Sequence, residues 1–135
     1  MNKFPKYIAA GLLGTVAMTI IMVILPNLGM PEIFPWELLS EAIGVSLVIG
    51  WVAHFMAGIL FGLGYGFIFA HNIHIRNLWF KGVAYGILAN IVAYLGMSLI
   101  TTSFEILLLI TFVPYIILGV VIAKIIGKNN QLYGF

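Results

Sequence analysis

His54 is the only imidazole within the long apolar runs of this sequence, and it is the first candidate for chemistry. A neutral imidazole donates a hydrogen bond from one ring nitrogen and accepts one at the other, and it can also ligate a metal. Ionisable groups in membrane spans are costly to bury and are functional candidates by default. Four other polar side chains lie at similar depths and are expected to converge on it: Thr19, Asn90, Tyr94 and Tyr115.

Two interpretations of this intramembrane polar cluster stay open. In the first, its hydrogen bonds clasp the helices together, because an unsatisfied polar group in hydrocarbon costs several kcal/mol. In the second, the cluster forms a pocket for haem, a quinone, a lipid headgroup, or a proton or ion in passage. No charged residue lies in the middle of an apolar run to complete a relay, so the sequence does not decide between them.

Metal and cofactor binding have little support. Haem would need a second axial ligand or an open pocket beside His54. His71 and His74 form a His-x-x-His pair without acidic neighbours, which is typical of a solvated loop rather than a metal site. The sequence contains no Cys, which excludes disulfides and thiolate ligands. We therefore predict no metal site and no cofactor.

Catalysis is not indicated either. The sequence has no carboxylate pair in an apolar run, no nucleophile beside an evident base and no glycine loop after a strand. We expect no catalytic residue and do not expect an enzyme.

The elements that must position these side chains are apolar helices. Hydrophobic residues make up 63% of the 135 residues and charged residues 7%, against roughly 25% charged in soluble domains. Apolar runs at about 7–25, 46–70, 78–100 and 106–126 are each close to the ~20 residues that cross a bilayer. We predict an all-α integral membrane protein, a four-transmembrane-helix bundle that forms a single domain over residues 1–135.

Every formal charge lies where a membrane would sort it. The bases lie at the chain ends and in the middle gap, and the acids lie in the other two gaps (Lys3, Lys6, Arg76, Lys81, Lys124 and Lys128; Glu32, Glu37, Glu41 and Glu105). Basic residues favour the cytoplasmic side, so both termini are predicted to be cytoplasmic in a multi-pass protein of a bacterial inner (plasma) membrane. Lys81 and Lys124 are expected to snorkel to the headgroups. The bases indicate contact with anionic lipid and no nucleic-acid partner.

The longest gap, residues 27–45, contains a short amphipathic helix at about 35–43. Pro35 suits its first turn. Apolar residues share one side and polar residues the other (Leu38, Leu39, Ala42 and Ile43; Glu37, Ser40 and Glu41). The segment is expected to lie on the outer interface or to dip as a plug into the mouth of the bundle.

Small residues recur at every fourth position of each run and so share one helix face. The glycines of this seam are Gly50, Gly58, Gly62, Gly66, Gly82, Gly86 and Gly119. Small residues let helices approach closely in lipid, so all four helices are expected to pack with their stripes inward. The stripe of the second run is long enough to serve a second copy of the chain as well. Replacing the mid-stripe Gly62 with Leu is expected to disrupt folding more than replacing Gly11.

The stripes also hint at an internal repeat. The second and fourth runs carry similar stripes, and so do the first and third. This pattern is typical of two hairpin repeats related by an axis along the membrane normal.

Three segments carry a resemblance to a known family: Gly50-Trp51-Val52-Ala53-His54-Phe55-Met56-Ala57-Gly58, Gly14-Thr15-Val16-Ala17-Met18-Thr19 and Leu28-Gly29-Met30-Pro31. Together they resemble small four-span bacterial membrane proteins that are known mainly as a domain of unknown function. The resemblance runs from the first run through the third. It implies that the face of Trp51, His54 and Gly58 is the family's signature, and it implies no activity, substrate or cofactor.

These observations favour an integral membrane protein that acts by contact with protein or lipid. We expect a non-catalytic accessory or scaffold subunit, or a self-associating helical bundle, whose partners are the bilayer and either further copies of the chain or a larger membrane complex. The alternative is a small channel or carrier, or a haem-, quinone- or lipid-binding membrane protein, that uses the cluster around His54.

Overall fold

The protein is all-helical over the residues that its computed structural model describes, 3–100 and 105–133. Three helical segments are long and apolar enough to cross a membrane: Phe4–Leu28, Leu47–Asn72 and Leu78–Ser98. They coincide with the first three predicted runs, which confirms the prediction of a helical, multi-pass membrane protein. A shorter apolar helix follows at Phe112–Gly127.

Glycines with positive φ end the two helices before the second span. Helix α1 (Phe4–Ile24) continues into one 3-10 turn (Leu25–Leu28), which stops at Gly29 with φ 95°. Helix α2 (Pro35–Ile43) begins with a proline in its first turn and stops at Gly44 with φ 77°. Glycine adopts this left-handed conformation without a Cβ penalty, so the predicted helix at 35–43 is present and sharply bounded.

The second span contains a π turn. Helix α3 (Leu47–Gly64) passes through the π turn (Tyr65–Phe69) into the short helix α4 (Ala70–Asn72). The backbone N–H of Ala70 donates to the carbonyl of Tyr65, five residues back. Helix α5 (Leu78–Ser98) then follows the capping residue Asn77. The side chain of Asn77 accepts hydrogen bonds from the backbone N–H groups of Trp79 and Phe80 in the first turn. Such caps replace the intrahelical bonds that a helix start lacks.

The fourth apolar run forms two helices, α6 (Glu105–Ile110) and α7 (Phe112–Tyr133). Pro114 causes the interruption because it has no N–H to donate to the carbonyl four residues earlier. The flanking backbone bonds persist, from Thr111 to Leu107 at 2.9 Å and from Tyr115 to Thr111 at 2.9 Å. The path of the chain therefore continues across the break.

The first glycine seam joins α1 to α3 in antiparallel contact. Stepping along α1 by four residues, Tyr7 faces Gly66, Gly11 faces Gly62 and Thr15 faces Gly58. A Cβ added at Gly62 would lie 2.8 Å from the Cα of Gly11. Backbones this close leave no room for a larger side chain, as in small-xxx-small packing.

The second glycine seam joins α5 to α7 in the same manner. Gly82 and Gly86 of α5 lie against Gly119 of α7, and a Cβ added at Gly119 would be 2.8 Å from the Cα of Gly86. The two hairpins meet where Gly14 of α1 lies against Leu118 of α7. The two small-residue stripes of each hairpin thus pack against each other. This differs from the prediction that all four stripes face one common interior.

The stripe of α3 is fully used within the chain. Gly50 lies against the carbonyl of Trp36 in α2, and Gly58, Gly62 and Gly66 lie against α1. Its glycines are therefore covered within one chain, and contact of this stripe with a second copy stays a prediction.

Two ends of the bundle follow from this arrangement. We call the end that carries α2, with Glu32, Glu37 and Glu41, the acidic end. We call the end that carries the start of α1, the 73–77 loop and Lys81 the basic end.

Candidate functional site

His54 pairs with Thr19 at the last step of the α1–α3 seam. The Oγ1 of Thr19 and the Nε2 of His54 lie 2.8 Å apart. The pair lies one helical turn from Gly58 and Thr15, toward the acidic end. Because His54 is only 4% exposed, this hydrogen bond satisfies a ring nitrogen that would otherwise be buried without a partner.

Aromatic rings cover the rest of the imidazole. The ring of Trp36 lies 5.0 Å from that of His54 and stacks on Trp51 at 4.2 Å. Phe55 lies edge-on at 5.6 Å from the imidazole. Trp36 is 3% exposed and covers the imidazole from the acidic end. Helix α2 packs against α3, and its predicted position, on the outer interface or as a plug, stays a prediction.

Asn90 belongs to a different pair. Its Nδ2 donates to the carbonyl of Leu108 at 3.0 Å, and its Oδ1 accepts from the Oγ1 of Thr111 at 2.6 Å. Asn90 and Thr111 occupy the next four-residue step of the α5–α7 seam, beyond Gly86. Both side chains are buried, so each hairpin ends its glycine seam with a threonine clasp.

The remaining two predicted members lie elsewhere. The ring of Tyr115 packs edge-on against Phe61 of α3 at 5.8 Å, and Tyr94 is half-buried one turn beyond Asn90 on α5. The structure therefore brings Thr19 to His54 and Asn90 to Thr111 as two separate pairs. The five predicted side chains do not form one cluster in the part of the chain that the structure describes.

A second polar group lies at the basic end. The hydroxyl of Tyr85 donates to the carbonyl of Phe61 at 2.6 Å, and its ring meets that of Tyr65 edge-on at 5.0 Å. The Nζ of Lys81 donates to the carbonyl of Ala70 at 3.3 Å and lies 6.0 Å from the Tyr65 ring. The buried hydroxyl of Tyr65 has no hydrogen-bond partner among the described residues.

The side chain of Lys81 does not reach outward as the predicted snorkelling requires. It is 6% exposed, because it folds back onto the carbonyl end of α4 instead of reaching outward. The last carbonyls of a helix lack intrahelical donors and carry partial negative charge, which attracts a lysine. Lys124 is exposed as expected, with its Nζ 4.2 Å from the centre of the Trp79 ring.

Several of these residues escaped prediction although the sequence held a signal for some. Thr111 lies four residues before Tyr115, so extending the stripe of the fourth run by one step would have found it. Trp51 was named only through the family resemblance, and its position three residues before His54 places it on the same helix face. Trp36 gave no such signal, because its burial depends on how α2 folds back.

The comparisons with known proteins agree with the sequence analysis. No curated protein and no solved structure matches the chain. A family described as "Family of unknown function (DUF6789)" matches residues 1–131. The chain therefore belongs to the DUF6789 family, and in this member His54 lies in a buried contact between two helices that are long and apolar enough to span a membrane.

Proposed function

We propose that the protein is a non-catalytic, non-conducting accessory subunit that crosses a bacterial inner membrane four times and acts by contact with other membrane components. The fourth span would be formed by α6 and α7 together. Sorted charges support cytoplasmic termini, since the start of α1, the 73–77 loop and Lys124 of α7 share the basic end. Because the chain has no Cys, single cysteines placed at Lys6 and Glu41 would report the two sides by labelling.

The observation that carries this proposal is the closed α1–α3 seam beneath His54. A conducting path needs polar groups or water along its length. Below His54 the seam instead holds Thr15 against Gly58 and Gly11 against Gly62, at distances that exclude water. The hydroxyl of Thr15 is turned back to the carbonyl of Gly11 at 2.7 Å. This arrangement favours a clasp over a relay.

The same geometry disfavours haem ligation at His54. A haem iron would take the place of a hydrogen-bond partner at a ring nitrogen. The Nε2 of His54 already pairs with Thr19, and Trp36 and Trp51 cover the ring. Ligation would therefore require displacing α2. Of the alternative functions, we retain the channel or carrier as the competing one.

Proteoliposomes with an entrapped pH-sensitive dye test the proposal. We expect proton flux equal to that of protein-free liposomes, both for the natural chain and for Trp36→Ala. Flux above background that is abolished by His54→Leu would overturn the proposal in favour of a channel or carrier. An ion-gradient measurement with sodium and potassium extends the same comparison.

The accessory role has its own test. Direct extraction of the natural membrane into lipid nanodiscs, followed by mass measurement of the tagged particle, reports the assembly. We expect a particle heavier than one chain plus lipid, with a reproducible protein complement. A particle that contains one chain alone would contradict the accessory role.

A further inference from the structure

An apolar cleft separates α3 from α5, in contrast with the tight seams elsewhere. It has a volume of about 620 Å³, within the range of small-molecule sites. It runs from Ala57 and Val92 near the middle of the bundle to Asn72 at the basic end. Leu60 and Leu88 line it while 65% and 44% exposed, so the cleft opens sideways toward the lipid.

Lys81 does not line this cleft but lies beside residues of its basic end. It is one helical turn from Tyr85, which lines the cleft. Its ammonium donates to the carbonyl of Ala70, the residue that follows Phe69, which is another lining residue. Buried charges in proteins are normally paired, because an isolated ammonium is costly to desolvate. The carbonyl of Ala70 and the end of α4 compensate only part of a full charge.

Among the residues that the structure describes, no acidic side chain pairs with Lys81. The acidic residues of the sequence, all Glu, lie in the two gaps at the opposite end of the spans: Glu32, Glu37, Glu41 and Glu105. The basic end adds further positive charge with Arg76 and Lys124. We therefore infer that an anion from outside the described residues completes this site, and such an anion has to suit an apolar cleft that opens to lipid.

We propose that the α3–α5 cleft binds an anionic phospholipid, with one acyl chain between the two helices and the phosphate against Lys81. Basic pockets between membrane helices on the cytoplasmic side recognise such headgroups. The inference is independent of the accessory role, because it concerns the opposite end of the bundle from the His54 clasp.

Native mass spectrometry of the purified full chain tests this binding. The probes are phosphatidylglycerol and phosphatidylcholine with identical acyl chains, added at equal concentration. We expect phosphatidylglycerol to be retained preferentially, and Lys81→Gln to reduce its retention by about fivefold, the effect of one basic residue near an anionic surface. Lys124→Gln, which removes an exposed base at the same end, is the matched control and should leave the preference nearly unchanged.

A second pair of variants tests the cleft itself. Leu88→Trp fills the open side of the cleft, whereas Leu95→Trp adds the same bulk to an exposed position of α5 that does not line it. We expect the first to reduce retention of both lipids and the second to reduce neither. Because both positions face lipid, each variant should fold.

Several outcomes would overturn the proposal. Equal retention of the two lipids, or equal losses in Lys81→Gln and Lys124→Gln, would show only general surface attraction. Full displacement of phosphatidylglycerol by millimolar inorganic phosphate would show an anion site without a role for the cleft. Retention that is unchanged in both Lys81→Gln and Leu88→Trp would place the lipid elsewhere.

Discussion

The two ends of the bundle treat a buried nitrogen group in opposite ways. At the acidic end, the imidazole of His54 meets the hydroxyl of Thr19 and is covered by Trp36. At the basic end, the ammonium of Lys81 donates to one carbonyl and lies 6.0 Å from the ring of Tyr65, whose hydroxyl has no partner among the described residues. Within the described residues, His54 thus has a paired and covered side chain, whereas the charge of Lys81 meets only a carbonyl.

The difference shows that burial alone does not mark a binding site. His54 drew attention as an ionisable group in a membrane span, yet its Nε2 is paired with Thr19 and aromatic rings cover it. Lys81 looked like an ordinary interfacial lysine, yet no acidic side chain among the described residues pairs with it, and an open cleft lies nearby. What distinguishes them is whether the chain itself supplies the partner that each group requires.

Breaking the seam between the two ends should have the largest effect. Leu in place of Gly62 or Gly11 would push side-chain carbons into the facing backbone, which cannot move aside, so each should cost more than about 3 kcal/mol in stability. The two glycines face each other, so the structure gives no reason for the larger effect predicted at Gly62. Gly96→Leu is the control, since a Cβ there meets nothing within 4 Å. Unfolding of the detergent-solubilised chain by added SDS measures all three, and a stable Gly11→Leu would contradict the seam.

Removing the cover of the acidic end should have the next largest effect. Trp36→Ala is expected to destabilise the protein by about 3 kcal/mol, the usual loss for a buried tryptophan. It should also expose His54 to modification by diethyl pyrocarbonate. Trp79→Ala, at a ring that is 58% exposed, should cost less than about 1 kcal/mol. If His54 were equally reactive before and after Trp36→Ala, Trp36 would not cover the imidazole as described.

Apolar substitutions of the two buried nitrogen groups are expected to change the stability of the protein in opposite directions. In uncharged detergent, Lys81→Met should stabilise the protein by about 1 kcal/mol, because it replaces a charge that lacks a counter-ion with an apolar side chain of similar length. His54→Leu should destabilise it, because it breaks a satisfied contact. Thermal denaturation of the two variants measures this, and destabilisation by Lys81→Met would show that the lysine is already compensated within the chain.

The smallest expected effect is that of the Thr19 clasp. Thr19→Val keeps the shape and removes the hydroxyl, so it should cost about 0.6 kcal/mol, the average for hydrogen bonds between membrane helices. Thr19→Ser retains the hydroxyl and should recover most of that stability. The SDS titration resolves the pair, and a Thr19→Val variant as stable as the natural chain would remove the clasp from the account of His54.

Much of the fold was predictable because apolar runs and glycine stripes are local properties of the sequence. The runs gave three spans within a few residues, and the stripes gave the faces that pack. The partner of each face was not predictable. A four-residue step overshoots a helical turn of 3.6 residues, so a long stripe winds around its helix. The stripe of α3 therefore meets α2 at Gly50 and α1 at Gly62.

The candidate site was predictable only in part for the same reason. Depth along a span can be counted, and it placed Thr19 and His54 at matching levels. Depth does not identify the hairpin in which a side chain finds its hydrogen-bond partner. Asn90 was therefore expected beside His54, whereas in the structure it pairs with Thr111. The burial of Lys81 depends on the end of α4 lying beside it, a tertiary relation that no local pattern encodes.

The π turn at Tyr65–Phe69 determines how the second span responds to the loss of a single residue. Such a turn holds one residue more than an α turn, so deleting a single residue there would restore an unbroken helix. Because the turn absorbs this extra residue, the helix faces before and after it would keep nearly the same directions, and Ala70 would stay on the side of Lys81. A one-residue deletion within the regular turns of α3 would instead rotate everything beyond it by about 100° relative to α1 and break the glycine seam. The π turn thus marks a position where the second span can lose a residue while both the seam and the cleft wall keep their partners.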